Sequence, residues 1–91
     1  MMKRISMTVK GYVQGVGFRF FTRIMAENYH IKGWVRNKNN GDVEIEAEGT
    51  FHNLEAFTNE IRKGPRFATV DDVIIHEHET VHGYEDFKQL S

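Results

Sequence analysis

The stretch Ile5-Ser6-Met7-Thr8-Val9-Lys10-Gly11-Tyr12-Val13-Gln14-Gly15-Val16-Gly17-Phe18-Arg19-Phe20-Phe21 changes its hydrophobic period part-way along, and that change decides the fold. Up to Lys10 apolar and polar residues alternate, with Ile5, Met7 and Val9 on one side and Ser6, Thr8 and Lys10 on the other. This is the pattern of a half-buried strand. The glycines at 11, 15 and 17 break the alternation. From Phe18 to about Tyr29, Phe18, Phe21, Met25 and Tyr29 recur every three or four residues, with Ile24 beside them, which predicts one face of a helix.

Working outward, Ile31 to Asn37 reads as a second strand around Trp34-Val35, and Asn39-Asn40-Gly41 as a hairpin turn, since Asn-Gly tolerates positive φ. The third strand puts Val43, Ile45 and Ala47 on one face. Asp42, Glu44, Glu46 and Glu48 fall on the other, which reads as a solvated sheet face. A second helix is expected from about Phe51 to Lys63, burying Leu54, Phe57 and Ile61 and stopped by Gly64-Pro65. A fourth strand comes next, from about Thr69 to Glu79, and then a short one from about Tyr84 to Leu90 whose phase the residues leave open.

The order is β-α-β-β-α-β with a short additional C-terminal strand. Two helices on one face of an antiparallel-dominated sheet satisfy it, giving an α+β, ferredoxin-like two-layer sandwich. The 91 residues suit one domain spanning 1–91. With 40% hydrophobic residues the chain can bury a core without further support. The absence of cysteine removes disulfides, thiolate metal sites and a cysteine nucleophile together. A formal charge of -1 argues against a whole-surface nucleic-acid binder, so any anion recognition must be local. The start carries Lys3 and Arg4 but no continuous apolar run behind them, so a cytoplasmic domain with no signal peptide and no membrane segment is expected.

Gln14-Gly15-Val16-Gly17-Phe18-Arg19 is the most informative loop. Glycines let backbone amides converge, and the helix start adds unpaired N–H groups and a positive dipole end. Such a loop can cradle a phosphate or carboxylate, with Arg19 adding a permanently charged fork. The same residues would also serve as a tight turn followed by a solvated arginine. On generic grounds the two readings stand level, because the loop lacks the Gly-Lys-Ser/Thr of a Walker loop and the third glycine of a dinucleotide fingerprint.

Longer motifs separate them. Gly11-Tyr12-Val13-Gln14-Gly15-Val16-Gly17-Phe18-Arg19 resembles the acylphosphatase signature G-x-V-Q-G-V-G-F-R at every fixed position. Gly33-Trp34-Val35-Arg36-Asn37-Lys38-Asn39-Asn40-Gly41-Asp42-Val43-Glu44 resembles that family's G-W-V-R-N-x-x-D-G-x-V-E in all but one, and Gly64-Pro65 with Ala68-Thr69-Val70 its G-P-x-x-A-x-V segment. The resemblance implies hydrolysis of an acyl phosphate without metal or cofactor. It places the phosphate-binding arginine on Arg19 and the water-orienting asparagine on Asn37. The phosphate cradle falls on Gln14, Gly15, Val16, Gly17, Phe18 and Arg19. Inorganic phosphate is then product and expected inhibitor, and a monomer with no nucleic-acid or membrane partner is expected. Asn40 stands where the family has aspartate, and His30 where it has a glycine of positive φ.

Other candidates are weaker. His76 and His78 share a strand face, with His82 nearby, but two aligned ligands do not make a metal site and a surface pair is the simpler reading. Asp71 and Asp72 are adjacent on a strand and point apart. Arg23, Arg36 and Lys38 are read as solvated, and Trp34 with the phenylalanines as core. An RNA-recognition module shares the element order, but the carboxylates of the third strand stand where it would need exposed aromatics.

Overall fold

The computed structural model describes residues 1–91. β1 (Met2–Tyr12), α1 (Phe18–Asn28), β2 (Lys32–Asn37), β3 (Val43–Thr50), α2 (Phe51–Lys63), β4 (Thr69–His78) and β5 (Phe87–Gln89) succeed one another along the chain. The sheet order is β4-β1-β3-β2-β5. All neighbours are antiparallel except β2 and β5. The five strands and two helices make the expected ferredoxin-like α+β architecture, with the extra strand at the edge beside β2.

Alternation puts Ile5, Met7 and Val9 of β1, Val43, Ile45 and Ala47 of β3, Val35 of β2 and Val73 of β4 into one core cluster. The α2 residues Leu54, Phe57 and Ile61 close over it, as their spacing predicts. On α1 the fully buried stripe is Phe18, Thr22 and Ala26, with Phe21, Met25 and Tyr29 packed at its flank. The centre is thus rotated from the large apolar residues onto two small ones. Small side chains let the helix approach the sheet, and the Thr22 hydroxyl is satisfied by the Phe18 carbonyl at 2.8 Å.

Three further expectations are corrected. Glu48 is 2% exposed and Asp42 8%, so the acidic row of β3 is not uniformly solvated. Both carboxylates have partners: Lys10 Nζ lies 2.8 Å from Asp42, and backbone N–H groups of His82, Gly83 and Tyr84 donate to Glu48. Trp34 lies opposite Glu46, on the face away from the helices, with its Nε1–H donating to the Tyr84 hydroxyl at 3.2 Å. Among the phenylalanines Phe18 and Phe57 are fully buried, whereas Phe20, Phe51 and Phe67 are exposed. The last strand begins at Phe87, and residues 84–86 belong to the connection before it.

The hairpin is not a two-residue Asn-Gly turn. Gly41 N–H donates to the Lys38 carbonyl at 3.2 Å, and Lys38 N–H to the Asp42 carbonyl at 2.8 Å. Gly41 alone takes positive φ, 97°, so a type I turn closed by a left-handed glycine makes the connection. His30 does take positive φ, 57°. It ends α1 in a Schellman arrangement, with His30 N–H on Glu27 O at 3.4 Å and Ile31 N–H on Ala26 O at 2.8 Å.

Candidate active site

The loop between β1 and α1 turns through Gly15 at φ 75° and Gly17 at φ 78°. A Cβ at either position would meet open space, so these glycines are required by backbone conformation and leave the mouth of the loop unobstructed. Gly17 occupies the N-cap of α1, where it has no side chain to offer the helix. The N–H groups of Gly15, Val16, Gly17, Phe18, Arg19 and Phe20 meet no acceptor in the protein. Unpaired backbone N–H groups and the positive end of a helix dipole thus lie together at this loop, the kind of arrangement that suits an anion.

Arg19 lies in the first turn of α1 and hydrogen-bonds through Nη1 to the Leu90 carbonyl at 2.7 Å. A neutral carbonyl orients the guanidinium without cancelling its charge. Asn37 is the last residue of β2 and, like Val35, points to the helix side of the sheet. Its side-chain amide has no hydrogen-bond partner in the protein. A hollow of about 100 Å³ is lined by Gly15, Gly17, Phe18, Arg19, Asn37 and Gln89, among others. The two motif residues, 18 positions apart in sequence, thus share one small cleft with the glycine loop.

Gln14 sits differently. Its Nε2 donates to the Lys38 carbonyl at 2.7 Å and the Asp42 carbonyl at 2.8 Å. The side chain ties the loop to the β2–β3 hairpin, and so to the strand that carries Asn37. Sequence reasoning had no signal for this tie, nor for the part played by Leu90 and Gln89, because both depend on contacts between distant segments.

Two of the nearby basic residues, Arg36 and Arg23, are paired elsewhere. Arg36 pairs with Glu44 at 2.6 Å and lies over the Trp34 ring, and Arg23 pairs with Glu27 at 2.9 Å. The rings of His76 and His78 lie 4.8 Å apart, with His78 Nε2 at 2.6 Å from Ser6 Oγ. His82 stacks on Tyr84 instead, at 4.1 Å between ring centroids.

Residues 5–89 match the acylphosphatase family model. The chain belongs to the acylphosphatase family. It is 52% identical over 77 residues to an acylphosphatase of Oceanobacillus iheyensis, covering 84% of this chain and 85% of the relative. With an acylphosphatase of Thermotoga maritima the identity is 49% over 86 residues, covering 94% of each. The crystal structure of acylphosphatase from Bacillus subtilis superposes with a TM-score of 0.96 at 35% identity, covering the whole of both chains. Full-length HypF in its phosphate- and nucleotide-bound form contains a similar unit, with TM-score 0.92 at 37% identity over 12% of that longer chain. Acylphosphatase folds thus occur both alone and within larger proteins. In this acylphosphatase-family chain, no helix is long and apolar enough to cross a membrane.

Proposed function

We propose that the protein hydrolyses acyl phosphates to a carboxylate and inorganic phosphate, with Arg19 and the 15–19 loop holding the phosphoryl group and Asn37 orienting the attacking water. The observation that carries this reading is the shared cleft. It juxtaposes unpaired backbone donors, an uncancelled guanidinium and an unengaged side-chain amide.

The chemistry asks for little else. A carboxylate leaves readily, so no strong general acid is needed. Phosphoryl transfer depends mostly on positioning and on stabilising charge at the equatorial oxygens. Arg19 and the loop amides supply that stabilisation. Asn37 supplies direction, with its amide oxygen accepting from the water and holding it in line. The water's proton can pass to a phosphate oxygen of the substrate itself. A cleft of about 100 Å³ suits the phosphoryl end, leaving the acyl group outside. Inorganic phosphate, which fits the same cradle, is then a competitive inhibitor.

The test is hydrolysis of a synthetic aryl acyl phosphate in excess EDTA. Losing one preorganised donor at developing charge costs about 3–4 kcal/mol, or roughly 10²–10³ in rate. Arg19→Ala is expected to lose at least that, with phosphate affinity reduced as well. Asn37→Ala is expected to lose turnover while inorganic phosphate binds nearly as before. Equal loss of phosphate binding in both variants would contradict the division of roles. An inert wild type that still binds phosphate through Arg19 would make this an anion-binding domain.

A further inference from the structure

The connection from Glu79 to Asp86 leaves β4 at one edge of the sheet and reaches β5 at the other, so it passes the three strands between them. Each of those strands holds it. Arg4 of β1 donates from Nε to the Thr80 carbonyl at 2.9 Å. Trp34 of β2 reaches the Tyr84 hydroxyl at 3.2 Å, and the Gly33 N–H donates to the Asp86 carbonyl at 2.8 Å. The central grip is Glu48 of β3. Its Oε2 accepts from the His82 N–H, and its Oε1 accepts from the Gly83 and Tyr84 N–H groups at 3.0 Å each.

The strand that the connection delivers is short. β5 has three residues, paired in parallel as Gly33 with Phe87, Trp34 with Lys88 and Val35 with Gln89. A strand of that length at an edge has few bonds of its own to fix its register. It ends where the Leu90 N–H donates to the Val35 carbonyl at 2.8 Å and the Leu90 carbonyl receives Arg19. The guanidinium is therefore aimed by a segment whose placement depends on the connection before it.

We propose that Glu48 is a positioning residue for the active site: by gripping three consecutive N–H groups of the connection it sets where β5 lies, and so where the Leu90 carbonyl holds Arg19. The proposal rests on the reading of Arg19 as the phosphate-binding residue. A carboxylate suits the task because it offers two acceptor oxygens and no donor, whereas a glutamine would turn an N–H₂ toward an N–H. Burial pushes the Glu48 carboxyl up, but the three N–H groups and nearby His82 outweigh it and hold it below the ordinary glutamate range. The charged and titratable groups around it are Arg4 and Lys32 opposite on β1 and β2, Glu46 on its own strand, and His82 and Tyr84 on the connection.

The experiment compares full-length wild type with Glu48→Gln and Glu48→Ala. It reads inorganic phosphate affinity, KM and kcat on an aryl acyl phosphate, and hydrogen exchange at the Leu90 and Gly33 amides. Phosphate binding is expected to weaken about tenfold, as misplacement of a binding group by remote changes typically does, with KM rising in step. The Leu90 and Gly33 amides should exchange faster while the β1–β3 ladder stays protected. A core variant, Ile61→Val, controls for stability alone and should keep wild-type phosphate affinity. If Glu48→Ala does not fold, Glu48→Gln decides, since it still leaves one oxygen for three donors. Wild-type phosphate affinity and Leu90 protection in a folded Glu48 variant would overturn the proposal. Unchanged phosphate affinity in Arg19→Ala would instead remove the reading of Arg19 beneath it, while the Leu90 exchange still reports on the grip.

Discussion

Arg19 takes its direction from a main-chain carbonyl 71 positions further along the chain. A motif can therefore name the residue without showing what aims it. His30 is the opposite case, a local feature visible in the sequence and realised in the structure. It holds φ 57° at the end of α1, where a side chain with a Cβ is strained and glycine is not. His30→Gly is expected to raise stability by about 1 kcal/mol, read from urea unfolding at constant m-value. A loss of stability would mean that the histidine side chain makes up for its backbone. Thr22 shows why hydrophobicity alone misplaced the buried stripe of α1. Its hydroxyl bonds back to the helix, which leaves the residue small and satisfied enough for the core.

At the level of elements, the β2–β3 hairpin is held by polar contacts more than by its turn type. The Asn40 Oδ1 accepts from the Asp42 N–H at 3.1 Å, and its Nδ2 donates to Asp42 Oδ2 at 3.2 Å. The Lys10 hydrogen bond holds the Asp42 carboxyl below its ordinary range, against the effect of burial, with Asn40 and Lys38 adding to it. Asparagine is therefore more than a tolerated stand-in at position 40. Asn40→Asp keeps the acceptor but sets a carboxylate against a carboxylate. It is expected to lower the thermal midpoint at neutral pH, with the deficit shrinking as the carboxylates protonate below about pH 4. A deficit independent of pH would place the cost elsewhere. Gln14 bonds two carbonyls of the same hairpin, so damage there should also disturb the loop beside Asn37.

For the whole molecule, acid should be the condition that loosens the fold. Glu48 and Asp42 are both held below the ordinary carboxylate range, so at a given low pH the folded state binds fewer protons than the unfolded one. Their stabilisation is fully present above the unfolded values of about 4 and is lost as pH falls through the lower folded ones. The urea midpoint is expected to be flat from about pH 7 to 5 with respect to these groups and to fall below about 4. Glu48→Gln should be less stable than wild type at pH 7 and should show a shallower acid limb. An acid limb equally steep in that variant would assign the loss to other carboxylates.

The sequence by itself determined the element order, the inward faces of the central strands and the stop of α2, and it singled out the glycine loop, Arg19 and Asn37 as the candidates for the site proposed above. These rest on short-range facts: a period of two or 3.6, a glycine where φ must be positive, a motif read in one run. Only the tertiary structure decided that β5 runs parallel beside β2, that Trp34 faces outward, and that Gln14 binds the hairpin. It also decided that Glu48, one of four alternating carboxylates, is buried under a connection crossing the sheet. Periodicity says that a residue points to one face. What covers that face is set by segments that reach it from the far end of the chain, and those meetings leave no local trace.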